Sequence, residues 1–315
     1  MAIPLRSWLV IARCAALKYR MTPEAILTHA PRVLTQEQRD RYFATGFLAA
    51  EGLIPDEWLE LLRARSAEFI EKSRAVAASN EEFDIGPLHR PDHPHVRRLK
   101  ALVDRHPDFW RVCAESPLAD IAADLVGPDV KFHSSKLNYK YPGAGEIVDW
   151  HQDIPAWPHT NYSPVTLGIY LDDVPVEQGP LTCIPSSHTG PIFVHRDDKG
   201  AWSGAIRKSD HMQIDMASAE DLIGPAGTVI AINCRTVHGS RANATNRVRP
   251  VALFVYSSAD AFTWMPTPTP CRYTGEIVRG RPATVAHLDP HPCPVPPDWS
   301  KQGYGSIFTA QNAEL

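Results

Sequence analysis

At 315 residues, with 43% hydrophobic residues, 22% charged residues and a formal net charge of −4, the chain has an ordinary globular composition and can bury a core without staples. Neither Lys nor Arg forms a long block, which argues against nucleic acid or an anionic membrane surface as the main partner. Six cysteines with no CxxC pair read as reduced thiols, so a cytoplasmic protein is expected rather than a disulfide framework.

In chain order, PLRSWLVIARCAALKYR (4–20) suggests a basic amphipathic helix. Arg13 cuts its apolar run too short for a secretory signal, and no stretch reaches the length of a membrane span. Such a helix would pack on the domain or on a second subunit, so monomer and homodimer both stay open. Further on, Thr35 is an N-cap with Gln38 at the capping-box position. A second helix starts near Pro55 and repeats apolar residues at Trp58, Leu61, Leu62 and Phe69. The segment FDIGPLHRPDHPHVRR (83–98) carries His89, His93 and His95 and ends in Arg97 and Arg98. It reads as a solvated loop or as a substrate-facing loop for an anionic group. A third helix is expected over DFWRVCAESPLADIAADLVG, ending at Gly127.

From Val130 the period changes to two. KFHSSKLNYKYPG, VTLGIYLDDV, GPLTCIP, GTVIAINC and RPVALFVYSS are short β-branched and aromatic runs bounded by Gly, Pro or Asp. There is little room for helical crossovers, so the expected fold is mainly β with flanking helices, built on an antiparallel double-sheet jelly roll. One domain is expected: a helical region over 1–127 packed on the core, a jelly-roll core over 128–262, and a Pro-rich extension over 263–315 running along the surface. Residues 190–220 read as a long loop or lid.

A strand shows residues i and i+2 on one face, so H-x-D presents an imidazole beside a carboxylate. Two such groups and a second histidine from a distant strand make a facial triad that leaves positions open on Fe(II). The motif occurs four times, at His106, His151, His195 and His287. Asp108 or its neighbour can cap a helix, His195 lies in a charged loop that reads as a solvated turn, and His287 has only a Pro-rich tail after it. His151 and Asp153 are instead followed by strands that supply His238 and, two residues on, Ser240. Arg249 follows across the turn ANATN and opens an apolar strand, where a buried guanidinium requires an anionic partner and suits a carboxylate.

At these residues the chain resembles the phytanoyl-CoA dioxygenase family of Fe(II)/2-oxoglutarate-dependent oxygenases. The resemblance rests on WHQD (150–153), GPLTCIPSSH (179–188), VHGS (237–240), Arg249 and VYSSADA (255–261), with LTQEQRDRYFATGFLAAEGLI (34–54) matching the opening helix and strand. It implies a double-stranded β-helix (cupin-like) core, Fe(II) on His151, Asp153 and His238, and O2 and 2-oxoglutarate as cosubstrates. Arg249 and Ser240 would hold the far carboxylate of 2-oxoglutarate, with Asn138 and Thr166 as further cosubstrate contacts. Related halogenases lack the carboxylate ligand; Asp153 keeps it, so the resemblance implies hydroxylation of a small molecule. WHQDIPAW resembles the motif of the ectoine hydroxylases, which implies Trp157 as a substrate contact, although a core tryptophan is the other reading. Those hydroxylases carry an aromatic where Leu253 stands, which counts against ectoine itself. Two other classes compete: a non-catalytic jelly-roll binding module, and a zinc hydrolase with three protein ligands and an activated water. Neither gives Arg249 and Ser240 a role.

Overall fold

The computed structural model describes residues 21–311, so the helix expected within 4–20 lies outside the described residues. After a short helix α1 (Pro23–Leu27) comes α2 (Gln36–Thr45), where Thr35 accepts from the Gln38 N–H and the Gln38 side chain accepts from the Thr35 N–H, the expected capping box. Gly46 ends it at φ 89°, a left-handed turn that leads directly into strand β1 (Phe47–Ala50). Helix α3 (Asp56–Ser73) buries Leu59, Leu62 and Phe69.

The region before residue 127 is not purely helical. β1 and the hairpin β2 (Phe83–Ile85) and β3 (Val96–Lys100) all join the large sheet. Period and composition gave no sign of the hairpin, because His and Arg fill it. The third helix also departs from expectation. After a single turn α4 (Leu102–Arg105), it divides into α5 (Pro107–Glu115) and α6 (Leu118–Val126) at Ser116–Pro117, where proline cannot continue the ladder. His106 caps α5 by accepting from the Asp108 N–H.

The remaining strands are β4 (Val130–Lys140), β5 (Val148–His151), β6 (Val165–Tyr170), β7 (Leu181–Cys183), β8 (Glu220–Leu222), β9 (Val229–Asn233), β10 (His238–Ser240), β11 (Arg249–Ser258) and β12 (Ile277–Arg279). They form two antiparallel sheets. The large one runs β1-β9-β6-β11-β4-β3-β2, with β12 also on β4; the small one runs β5-β10-β7-β8. One face of the large sheet, with Leu137, Tyr139, Leu167, Ile169, Ala252 and Phe254, packs with the helices into the main core. The other face meets the small sheet through Phe47, Ile230, Ile232 and Val251 against Cys183 and Leu222. Gly168 makes room for the side chains of its two strand partners: a Cβ there would lie 2.6 Å from Ile230 and 2.8 Å from Leu253.

Residues 190–219 cover the small sheet, with Phe193 and Ile206 packed on Ile184 and Val237. The extension after residue 263 does more than run along the surface. It ends in two short helices, α7 (Trp299–Gln302) and α8 (Ile307–Gln311), in which Trp299 and Phe308 are buried. Gln311 ties α8 to the backbone of Asp149, accepting from its N–H at 2.9 Å. The proline content signalled extended chain and hid these returns to the body of the protein.

Candidate metal centre and its cavity

Strand pairing assembles the centre. His238 on β10 sits opposite His151 on β5, and a register shift then places Ser240 opposite Val148. Asp153 follows two residues after His151. Ligand atoms of His151, Asp153 and His238 all lie within 4.8 Å of one another, and the three side chains are buried. It is the one such cluster among the described residues.

The surroundings orient each group. His151 Nδ1 donates to the Asp149 carbonyl and His238 Nδ1 to the Thr236 carbonyl, both at 2.9 Å, which leaves each Nε2 as a lone-pair donor. Thr166 Oγ1 donates to Asp153 Oδ2 at 2.9 Å, fixing the carboxylate and leaving its other oxygen free to ligate. Burial, then the neighbouring His238, push the His151 imidazolium well below its ordinary range, so the ring is neutral. Burial alone would raise Asp153, but His238, Lys136, His151 and the Thr166 hydroxyl together outweigh it and keep the carboxyl ionised. Two imidazoles and one carboxylate, each held in place, form a donor set that fits Fe(II).

Gln152, between two of these residues, points away from them and ties the covering segment down. Its Nε2 donates to the Pro191 and Arg235 carbonyls at 3.0 and 2.7 Å, and its Oε1 accepts from the Phe193 N–H at 2.8 Å. His195, expected in a solvated turn, is buried: its Nε2 accepts from the Gln152 N–H at 2.8 Å and its Nδ1 donates to the Phe193 carbonyl. Only its neighbour Asp197 is in the turn, capping the Lys199 and Ala201 N–H groups. His287 of the fourth H-x-D pairs with Asp260 at 3.1 Å, away from the cluster.

Beyond the cluster lies a cavity of about 90 Å³. Arg249 and Ser240 line it, and the buried Arg249 has no hydrogen-bond partner on Nε. Its register partner is Lys140, another buried base, whose amine donates to the carbonyls of Glu146, Ser240 and Arg241. Burial and then the Arg249 charge bring Lys140 down to about 6. An orphaned, buried guanidinium with no ion pair among the described residues fits the carboxylate of an organic acid such as 2-oxoglutarate.

Asn138 lines the cavity too, but its Oδ1 accepts from Arg98 Nε at 2.9 Å. Thr166 lines it while bonded to Asp153, and Trp157 serves both readings: it lines the cavity and packs with Ile154, Cys234 and Val255. Trp202 forms another part of the wall, whereas Trp264 is exposed. Sequence reasoning missed His195, Lys136, Tyr304 and Phe308 as wall residues. The i, i+2 spacing of Lys136 and Asn138 on β4 could have found Lys136; nothing local marks the tail residues. Burial, then the Arg98 charge, bring the Lys136 amine down to about 8. A larger cavity of about 410 Å³ opens elsewhere, between α1, Tyr162 and the 287–291 segment, and contains no metal-ligand cluster among the described residues.

Comparison with known proteins agrees with this geometry. A probable alpha-ketoglutarate-dependent hypophosphite dioxygenase of Stutzerimonas stutzeri is 29% identical over 282 residues, covering 88% of this chain and 97% of that protein. An ectoine dioxygenase of Stutzerimonas stutzeri (strain A1501) is 28% identical over 74% of this chain and 80% of its own length. The crystal structure of EctD from S. alaskensis with 2-oxoglutarate and 5-hydroxyectoine shares the fold at a TM-score of 0.63 and 22% identity, covering 85% of this chain and 92% of that one. The family profile for phytanoyl-CoA dioxygenase (PhyH) matches residues 42–251, and the chain therefore belongs to the PhyH family.

Proposed function

We propose that His151, Asp153 and His238 hold Fe(II), that Arg249 with Ser240 binds the far carboxylate of 2-oxoglutarate, and that the site hydroxylates a C–H bond of a small molecule. The enzyme is a non-haem Fe(II)/2-oxoglutarate-dependent dioxygenase, as its relatives are. The observation that carries the residue assignment is the buried His–Asp–His cluster sharing one cavity with an unpaired buried arginine.

When bound, the iron and 2-oxoglutarate activate O2, so that substrate, 2-oxoglutarate and O2 become hydroxylated substrate, succinate and CO2. The chain's own groups supply placement. Thr166 holds Asp153 in one orientation, and the Nδ1 hydrogen bonds fix the two imidazoles. Arg249 orients the cosubstrate, and Trp157, Trp202 and Phe308 keep water from the reacting atoms. No side chain is required as a general base. Thr166 acts on the cosubstrate through Asp153, Asn138 contacts the cosubstrate directly while its Oδ1 holds Arg98, and Trp157 contacts substrate. The cavity's small volume favours a compact substrate. We place the enzyme in the cytoplasm; no helix among the described residues is long and apolar enough to cross a membrane, and the described cysteines are free thiols.

Anaerobic addition of Fe(II) and then 2-oxoglutarate tests the assignment. A weak visible charge-transfer band should form, vanish in His151→Ala and His238→Ala, and need at least about tenfold more 2-oxoglutarate in Arg249→Ala. Tightly held zinc and no band would favour a hydrolase instead.

A further inference from the structure

We propose that Arg98 and Lys136 form a second anion subsite, so that the substrate is a small acid whose oxyanion, a carboxylate or a phosphorus oxyanion, is held there while a neighbouring bond is oxidised. This rests on the oxygenase reading above.

Arg98 is a prepared cation. Its Nε donates to Asn138 Oδ1 at 2.9 Å and its guanidinium lies 5.9 Å from the centre of the Phe308 ring. The Tyr304 hydroxyl is a further partner. The residue is 3% exposed and lines the cavity, yet Nη2 is buried with no partner. Neighbouring Arg97, by contrast, is paired with Asp84 at 2.7 Å. Lys136 lines the same cavity and, two residues from Asn138, the strand partner of Arg98, lies on the same face of the β3–β4 pair. Neither Arg98 nor Lys136 forms an ion pair with a carboxylate among the described residues. Two cations side by side on one face of a largely buried cavity are costly unless something negative joins them.

The cofactors do not supply that charge. Fe(II), Asp153, doubly charged 2-oxoglutarate and Arg249 neutralise one another, which leaves Arg98 and Lys136 in excess. Asp153 is also the one acid among the residues lining the cavity. A cationic substrate would therefore find no partner and two repelling charges, whereas an oxyanion would find Nη2 of Arg98 and the Lys136 amine. Aromatic groups among the walls (Trp157, Trp202, Phe308) lower the local dielectric and so weaken screening of the pair.

The test uses the full-length enzyme loaded anaerobically with Fe(II) and 2-oxoglutarate, reading the charge-transfer band as probes are added. Methylphosphonate or propionate should shift the band, and the tighter of the two identifies the head group; propan-1-ol and propylamine should leave it unchanged. Lys136→Met and Arg98→Gln should each weaken binding of the anionic probe at least about tenfold, the scale of one charge-assisted hydrogen bond, with Arg98→Lys recovering part of it. Equal binding of the alcohol or amine would overturn the subsite. So would variants that raise the 2-oxoglutarate requirement and leave the probe affinity unchanged, since the two cations would then serve the cosubstrate. Absence of the band in the unsubstituted enzyme would instead remove the oxygenase reading itself.

Discussion

One wall of the cavity is made by paired strands. His151 and His238 face each other across β5 and β10, Thr166 reaches Asp153 from β6, and Arg249 opens β11. Another wall joins pieces from far apart in the chain: Trp202 from the covering segment, and Tyr304 and Phe308 from the final turns. The first wall inherits its geometry from backbone ladders, which tolerate little variation. The second depends on side-chain packing between segments with few shared backbone bonds, so it is where substrate range can diverge among relatives as different as a hypophosphite and an ectoine dioxygenase.

Removing packing from the second wall should have the largest effect on stability. Phe308 is 1% exposed, and Phe308→Ala should cost about 3 kcal/mol by thermal or urea unfolding. The charge-transfer band should survive in the fraction that stays folded. If the band is lost while stability is kept, the two walls are not separable.

Acid should act next, through loop histidines that are buried neutral. Burial brings both His159 and His195 down to about 4, against an unfolded value of about 6.5. The unfolded chain therefore binds more protons between these values, so the stability each neutral ring contributes is full above pH 6.5 and is lost as the pH falls towards 4. For the metal-free protein the loss should be about 2 kcal/mol per ring at pH 5. His159→Gln should flatten the urea-midpoint profile over that range; an unchanged profile would show that the ring is charged in the folded state.

The smallest effect on the fold, and a specific one on the metal, is expected from the strand-built wall. Thr166→Val keeps shape and burial but leaves Asp153 Oδ2 without its donor. Fe(II) affinity should fall about tenfold with little change in unfolding midpoint, as expected when a hydrogen bond to a ligand is lost. A shift in 2-oxoglutarate affinity alone would make Thr166 a direct cosubstrate contact.

The same division explains what was legible in the sequence. His151, Asp153, His238, Ser240 and Arg249 sit at spacings that strand geometry imposes, and β11 runs over the very residues, 249–258, that its β-branched and aromatic run marks. Thr166 and Asn138 were legible as positions on a face, but not as partners of Asp153 and Arg98, because hydrogen bonding depends on what lies opposite. His195 was read as solvated because its charged neighbours are, while the ring itself turns inward to the Gln152 N–H. Tyr304 and Phe308 follow a proline-rich stretch whose composition says extended chain and carries no information on where that chain returns. The β2–β3 hairpin is dense in His and Arg, and Arg97 and Arg98 are drawn inward by pairing with Asp84 and Asn138 rather than by being apolar.

Strand β11 alternates between two duties. Arg249, Val251, Leu253 and Val255 face the cavity, while Ala252, Phe254 and Tyr256 belong to the core beneath the helices. A single inserted or deleted codon in this stretch would exchange the two sets, putting a guanidinium into the oil and phenyl rings at the reacting centre. Descendants of this gene can therefore retune β11 only by replacing letters, never by adding or dropping them, whereas the loops that build the far wall are free to change in length.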